Sequence, residues 1–105
     1  MSAAPLFELR RYVAVEGRAA AVADRFRTRT LPLFAAHGFV VESFWEDVDD
    51  PGVLVYVMRW DDRAAMDAAW EAFIADPEWK RIVAETEVDG PIVASIERTC
   101  LRTFG

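Results

Sequence analysis

Six consecutive apolar residues, Val53-Leu54-Val55-Tyr56-Val57-Met58, constrain this chain more than any other feature. A run of this length, rich in β-branched and aromatic residues, suits a strand and falls far short of a membrane span. Strands with one wet face alternate polar and apolar residues, whereas a strand that is apolar throughout needs cover on both sides. Val53 to Trp60 is therefore predicted to lie inside a sheet. The turn signal Asp49-Asp50-Pro51-Gly52 precedes it and ends another predicted strand, Phe39 to Val48.

The remaining periodicities supply the other elements. Leu6 to Val15 reads as a strand, with Phe7, Leu9 and Val13 alternating with Glu8, Arg10 and Tyr12. Glu16-Gly17 breaks it. From Arg18 to His37, the positions Ala19, Val22, Phe26, Leu33 and His37 recur at helical spacing, and Gly38 suits a helix C-cap. Pro32 lies inside that helix, where it has no donor and crowds the carbonyl of Thr28, so a kink or a restart is expected. Asp61 or Asp62 caps a second helix with a stripe of Met66, Ala69, Trp70 and Phe73. Asp76-Pro77 opens a short third helix carrying Trp79, Ile82 and Val83. Asp89-Gly90-Pro91 turns the chain into a last strand, Ile92 to Leu101. The order β-α-β-β-α-β with right-handed crossovers gives an α+β fold over residues 1–105. It is a single ferredoxin-like domain, a four-stranded antiparallel sheet with helices on one face.

The other sheet face then needs an occupant. Glu8, Arg10 and Tyr12 are assigned to it from the first strand. Ser95, Glu97 and Thr99 alternate with Ala94, Ile96 and Arg98 in the last strand, and Val40, Glu42 and Phe44 with Val41, Ser43 and Trp45 in the second. The all-apolar strand has no polar side for water, so burial against a second sheet fits better than solvation. The chain is 53% hydrophobic, with seven Phe, four Trp and two Tyr, and a domain of this size hides only roughly two thirds of its unfolded surface. A homodimer through sheet-to-sheet packing is the expectation, burying on the order of 2,000 Å² or more.

Eighteen acidic against twelve basic side chains give a formal charge of -6. Such a surface repels nucleic-acid phosphate and anionic membrane, and no Lys/Arg stripe offsets it. Met1 to Pro5 contains neither a basic n-region nor an apolar h-region, so no signal peptide is expected. Cys100 is the only cysteine, which excludes an internal disulfide or a CxxC motif. These features point to the cytoplasm.

Phe7-Glu8-Leu9-Arg10-Arg11-Tyr12, Leu31-Pro32-Leu33-Phe34 with His37-Gly38, and Phe44-Trp45 resemble sequences of the NIPSNAP family. So do Trp60-Asp61-Asp62, Ala69-Trp70-Glu71-Ala72-Phe73 and Asp76-Pro77-Glu78-Trp79. The likeness covers nearly the whole chain in the right order. It implies the dimeric α/β-barrel superfamily, in which two ferredoxin-like sheets pack face to face. Cofactor-independent monooxygenases, EthD-like proteins, muconolactone isomerases and haem-binding chlorite-dismutase-like proteins share that architecture. No catalytic residues follow from the NIPSNAP resemblance itself.

His37 is the only histidine and thus the only side chain suited by its ordinary pKa to proton transfer near neutrality. Its place at a helix end gives it a sufficient structural reason, as an imidazolium at the negative end of the helix dipole. Catalysis and haem ligation are the alternatives. Tyr12, Trp45, Tyr56, Trp70 and Trp79, with His37, are candidates for lining a pocket for a flat hydrophobic molecule, although aromatic residues at such spacing more often build core. Glu8, Arg10, Glu42, Glu97 and Arg98 are read first as interface ion pairs and second as catalytic acids. Cys100 reads as a small buried hydrophobe, and Arg59 as a carboxylate clamp or a stacked cation. Neither a metal site nor a bound cofactor is expected, since one histidine stands without zinc-type spacing. Three functions remain open: a homodimer of undefined biochemical role that binds a small hydrophobic ligand, a cofactor-independent monooxygenase or isomerase acting on a small aromatic compound, and a haem binder using His37.

Overall fold

The computed structural model describes residues 4–105. Met1 to Ala3, part of the segment read as carrying no leader, lie outside the described residues. The elements are β1 (Leu6–Ala14), α1 (Ala19–Arg25), a π-helical turn (Phe26–Thr30), α2 (Leu31–Ala36), β2 (Val40–Glu46), β3 (Val53–Trp60), α3 (Arg63–Ala75), α4 (Pro77–Thr86) and β4 (Val93–Leu101). Strand order is β2-β3-β1-β4 with every neighbouring pair antiparallel. This is the ferredoxin-like sheet expected from the element order, and β3, apolar but for Arg59, is an interior strand. Among the described residues no helix is long and apolar enough to cross a membrane.

The core lies between the sheet and its helices. Tyr12, Leu54, Tyr56, Met58 and Trp60 from the sheet meet Val22, Phe26, Phe34, Met66 and Phe73 from above. The first helix does not run through to His37. The amide of Leu31 bonds the carbonyl of Phe26, five residues back, and α2 restarts with Pro32 in its first turn, where no donor is required. The restart expected at Pro32 is present, and the break falls just before it. The wider turn also moves the buried stripe, so Phe34 is buried where the helical spacing had pointed to Leu33. Gly38, at φ +77°, closes α2: its amide bonds the carbonyl of Ala35, that of Phe39 bonds Phe34, and the rings of Phe34 and Phe39 stack at 5.1 Å.

Acidic side chains set several boundaries. β2 stops at Glu46 rather than Val48 because the Asp47 carboxylate accepts the amides of Asp49 and Asp50 at 2.8 and 3.2 Å. Asp62, not Asp61, caps α3 by accepting the amide of Ala65 at 2.8 Å. Asp76 does the same for α4 through Glu78 at 2.8 Å.

Two face assignments are corrected. Glu8, Arg10 and Tyr12 lie under the helices, with Glu8 fully buried, and Phe7, Leu9, Arg11 and Val13 occupy the helix-free face. Alternation fixes which residues travel together but not which set turns inward. A bulge at Glu42, between Val41 and Ser43, shifts β2, so Phe44 stacks on Tyr56 under the helices. Val40 and Trp45 share the free face instead. That face presents Leu9, Val55, Val57 and Trp45, crossed by the pairs Arg59–Glu42 at 3.3 Å and Arg11–Glu97 at 3.8 Å.

Candidate functional site

The inward side of β1 carries the most concentrated polar chemistry in the molecule. Glu8, Arg10 and Tyr12 recur at every second residue and so point the same way. The indole N–H groups of Trp60 and Trp70 donate to Oε1 of Glu8 at 2.9 and 2.8 Å, and Arg10 donates to Oε2 at 3.0 Å. A fully buried carboxylate is tolerated because it has a countercharge and several hydrogen bonds. Arg98, opposite Arg10 in β4, approaches Glu8 at 3.9 Å.

Arg10 is held on three sides. Its Nε donates to the Tyr56 hydroxyl at 3.0 Å and its Nη2 to the Tyr12 hydroxyl at 3.1 Å, while the guanidinium lies 4.2 Å above the Trp70 ring. Burial, the largest single influence, would by itself lower the guanidinium pKa. The hydroxyls of Tyr12 and Tyr56 and the charge of Glu8 outweigh it and leave the pKa raised. Burial pushes the Tyr56 phenol well above its ordinary value, Tyr12 adds to the effect, and Arg10 opposes it. Tyr56 therefore remains a neutral donor, and its proton goes to the Tyr12 oxygen at 3.0 Å.

Beside this network a cavity of about 510 Å³ opens between the helices and the β4 side of the sheet. Arg10, Tyr12, Arg25, Thr30 and Glu87 provide its polar lining; Phe26, Phe34, Trp70, Phe73 and Trp79 provide the aromatic walls, and Val93 to Ile96 form its β4 side. The π-turn places Phe26, Thr30 and Phe34 at intervals of four along this wall. Arg25 donates to Glu87 at 2.8 Å and to Thr86 at 3.2 Å, tying α1 to the end of α4.

Of the residues singled out in the sequence, Tyr12, Trp70 and Trp79 line this cavity. Tyr56 stands behind Tyr12, inaccessible to solvent. Trp45 is 53% exposed and borders a separate hollow of about 270 Å³ with Phe44, Leu31 and Arg27. His37 lines neither; its Nε2 is 2.8 Å from Asp76 Oδ2, and its ring packs edge-on against Phe39 and Phe73. It thus joins the end of α2 to the cap of α4, and the Asp76 carboxyl is held below its ordinary value first by the His37 hydrogen bond and then by the Glu78 amide. Cys100 is half-buried, with an Arg63 N–H 3.7 Å from its sulfur. Arg10, Arg25 and Glu87 were not foreseen in the cavity. Arg25 left a faint trace, a cation three residues after Val22 on the buried stripe; Arg10 left none, because its strand face was assigned the other way. Among the described residues no three His, Cys, Asp or Glu side chains gather as metal ligands.

The NIPSNAP family model matches residues 7–105. The chain belongs to the NIPSNAP family. Solved structures agree on the fold. An uncharacterized NIPSNAP domain protein from Burkholderia xenovorans is 20% identical, with a TM-score of 0.77 over 94% of this chain and 94% of that one. A NIPSNAP family protein of unknown function from Agrobacterium tumefaciens is 14% identical, with a TM-score of 0.81 over 95% and 88%. An antibiotic biosynthesis monooxygenase is 17% identical, with a TM-score of 0.69 over 95% and 99%. These likenesses establish a shared architecture only. No curated protein matches the chain in sequence.

Proposed function

We propose that this NIPSNAP domain is a homodimer whose protomers each bind a small, flat, hydrophobic molecule in the cavity between helices and sheet. One observation carries the reading: an aromatic-walled space of about 510 Å³ ends on hydrogen-bonding groups at Arg10 and Tyr12. Ligand cavities run from roughly 300 to 1,000 Å³, with mostly apolar walls and a few orienting polar groups. A purely structural dimer has no need of such a space. Dimerisation is supported by the free sheet face, where Leu9, Val55, Val57 and Trp45 sit together. The lone free Cys100 supports a cytoplasmic setting, and the net charge of -6 argues against nucleic-acid or membrane partners.

Calorimetric titration with naphthalene-sized aromatics tests the binding site. Saturable binding of one molecule per protomer is expected, lost when Ile96→Trp fills the cavity from the exposed β4 side. Equal binding by the filled variant would remove the cavity as the site.

A second reading, oxygenation or isomerisation of the bound compound without a cofactor, is favoured by the hydroxyl and guanidinium donors beside it. Haem ligation through His37 has less support, since that imidazole nitrogen is engaged by Asp76.

A further inference from the structure

The polar end of the cavity is specific about what it can accept. Tyr56 is inaccessible to solvent, and its proton is given to Tyr12; the Tyr12 oxygen also accepts from Arg10 Nη2 at 3.1 Å. Both lone pairs of the Tyr12 hydroxyl are thereby used, and its own proton is left without an acceptor in the protein. Arg10 places three of its five N–H groups on Glu8, Tyr12 and Tyr56. Each residue thus brings donors, and no lone pair, to the cavity wall.

Charge points the same way. Around this end stand two guanidinium groups, Arg10 and Arg98, against one carboxylate, Glu8, while the Arg25–Glu87 pair that also lines the cavity is neutral as a pair. That local excess of positive charge occurs in a chain of net charge -6. Donors held about 3.1 Å apart can converge on one anionic oxygen or take one oxygen each of a carboxylate.

Resting on the cavity as the binding site, we infer that its ligand is an aromatic compound carrying an anionic oxygen group, a phenolate or a carboxylate, set against the Tyr12 hydroxyl and the Arg10 guanidinium. A phenol that binds ionises and releases its proton to solvent; no bond other than O–H breaks.

The probe is 4-nitro-1-naphthol, whose visible absorbance distinguishes phenolate from phenol, compared with 1-nitronaphthalene, which lacks the oxygen, and with 1-naphthoate. The bound naphthol should ionise at least one pH unit below the free compound, equivalent to about tenfold tighter binding of the anion. Tyr12→Phe should return that pKa most of the way to the free value while 1-nitronaphthalene binds as before. Arg10→Lys, which keeps a cation beside Glu8, should give an intermediate shift, and serves if Tyr12→Phe does not fold. An unchanged or raised pKa of bound naphthol, with naphthoate bound no more tightly than 1-nitronaphthalene, would overturn the inference while leaving the cavity as a hydrophobic site. Whichever of naphtholate and naphthoate binds more tightly identifies the oxyanion, and binding of neither more tightly than 1-nitronaphthalene would overturn the inference. If none of the three probes binds, the cavity itself is not the ligand site, and the inference falls with it.

Discussion

The two faces of β1 are buried in the reverse of what their polarity suggests. Glu8, Arg10 and Tyr12 turn toward the helices, while Phe7, Leu9 and Val13 turn to the side the helices leave open. Inside, every polar atom described for Glu8 meets a donor: two indoles on one oxygen and a guanidinium on the other. On the open side, Leu9 pairs with Val57 and Val13 with Val53, and all of these but the buried Val53 are half-covered. Burial therefore follows the availability of partners, and a charged pair is placed inside where tryptophan N–H groups complete it. An isolated carboxylate could not be.

Four perturbations break or sharpen that contrast. The largest effect is expected from Glu8→Leu, which leaves Arg10 charged, with Trp60 and Trp70 lacking their acceptor. Breaking one side of a buried pair costs about 3–5 kcal/mol, read from urea unfolding. A loss below about 1 kcal/mol would mean that the inward network is not what fixes this face.

Leu9→Asp addresses the opposite face. A charge placed in the proposed sheet-to-sheet interface should raise the dimer dissociation constant by about a hundredfold, roughly 2.7 kcal/mol, seen by sedimentation equilibrium with helix content retained. A wild-type chain that is itself a folded monomer at micromolar concentration would dispose of the dimer.

Tyr56→Phe comes next, with a cost near neutrality of roughly 0.5–1.5 kcal/mol for the lost hydrogen bonds. Its alkaline behaviour is more telling. The folded pKa of Tyr56 is raised, so its contribution is complete below the ordinary tyrosine value of about 10. It is lost as pH rises toward and through the folded pKa, because the unfolded chain ionises first. The wild type should therefore lose stability above about pH 10 more steeply than the phenylalanine variant. Equal slopes would contradict the buried neutral phenol.

The smallest effect is expected from His37→Gln, far from both faces. The Asp76 pKa is lowered chiefly by His37, so that contribution is present above the ordinary carboxylate value and is lost as pH falls through the folded one. The variant should show a shallower acid-side loss of thermal stability and unchanged aromatic-ligand binding. Impaired binding would restore His37 to the site.

Much of the fold was legible because local signals agreed with the final arrangement. The run Val53 to Met58 required an interior strand, Gly38 and Asp76-Pro77 marked helix ends through their own backbone chemistry, and Pro32 announced a restart. The site was legible only in part. Tyr12, Trp70 and Trp79 could be suspected as aromatics, but Arg10 and Glu8 read as interface ion pairs on the other sheet face, and the π-turn that brings Phe34 to the cavity has no marker beyond the proline after it.

Sequence by itself determined the order of elements, their approximate ends and which residues share a strand face, because those follow from periodicities of two and about 3.6 and from residues with restricted φ. Only tertiary structure decided which face of β1 went inward, where the bulge at Glu42 moved Phe44, and that Arg10 borders a cavity. The reason is physical. Strand alternation is symmetric between its two sides, and the choice was made by donors 44 to 62 residues away in the chain, on Tyr56, Trp60 and Trp70, which only the folded sheet and α3 bring to Glu8 and Tyr12.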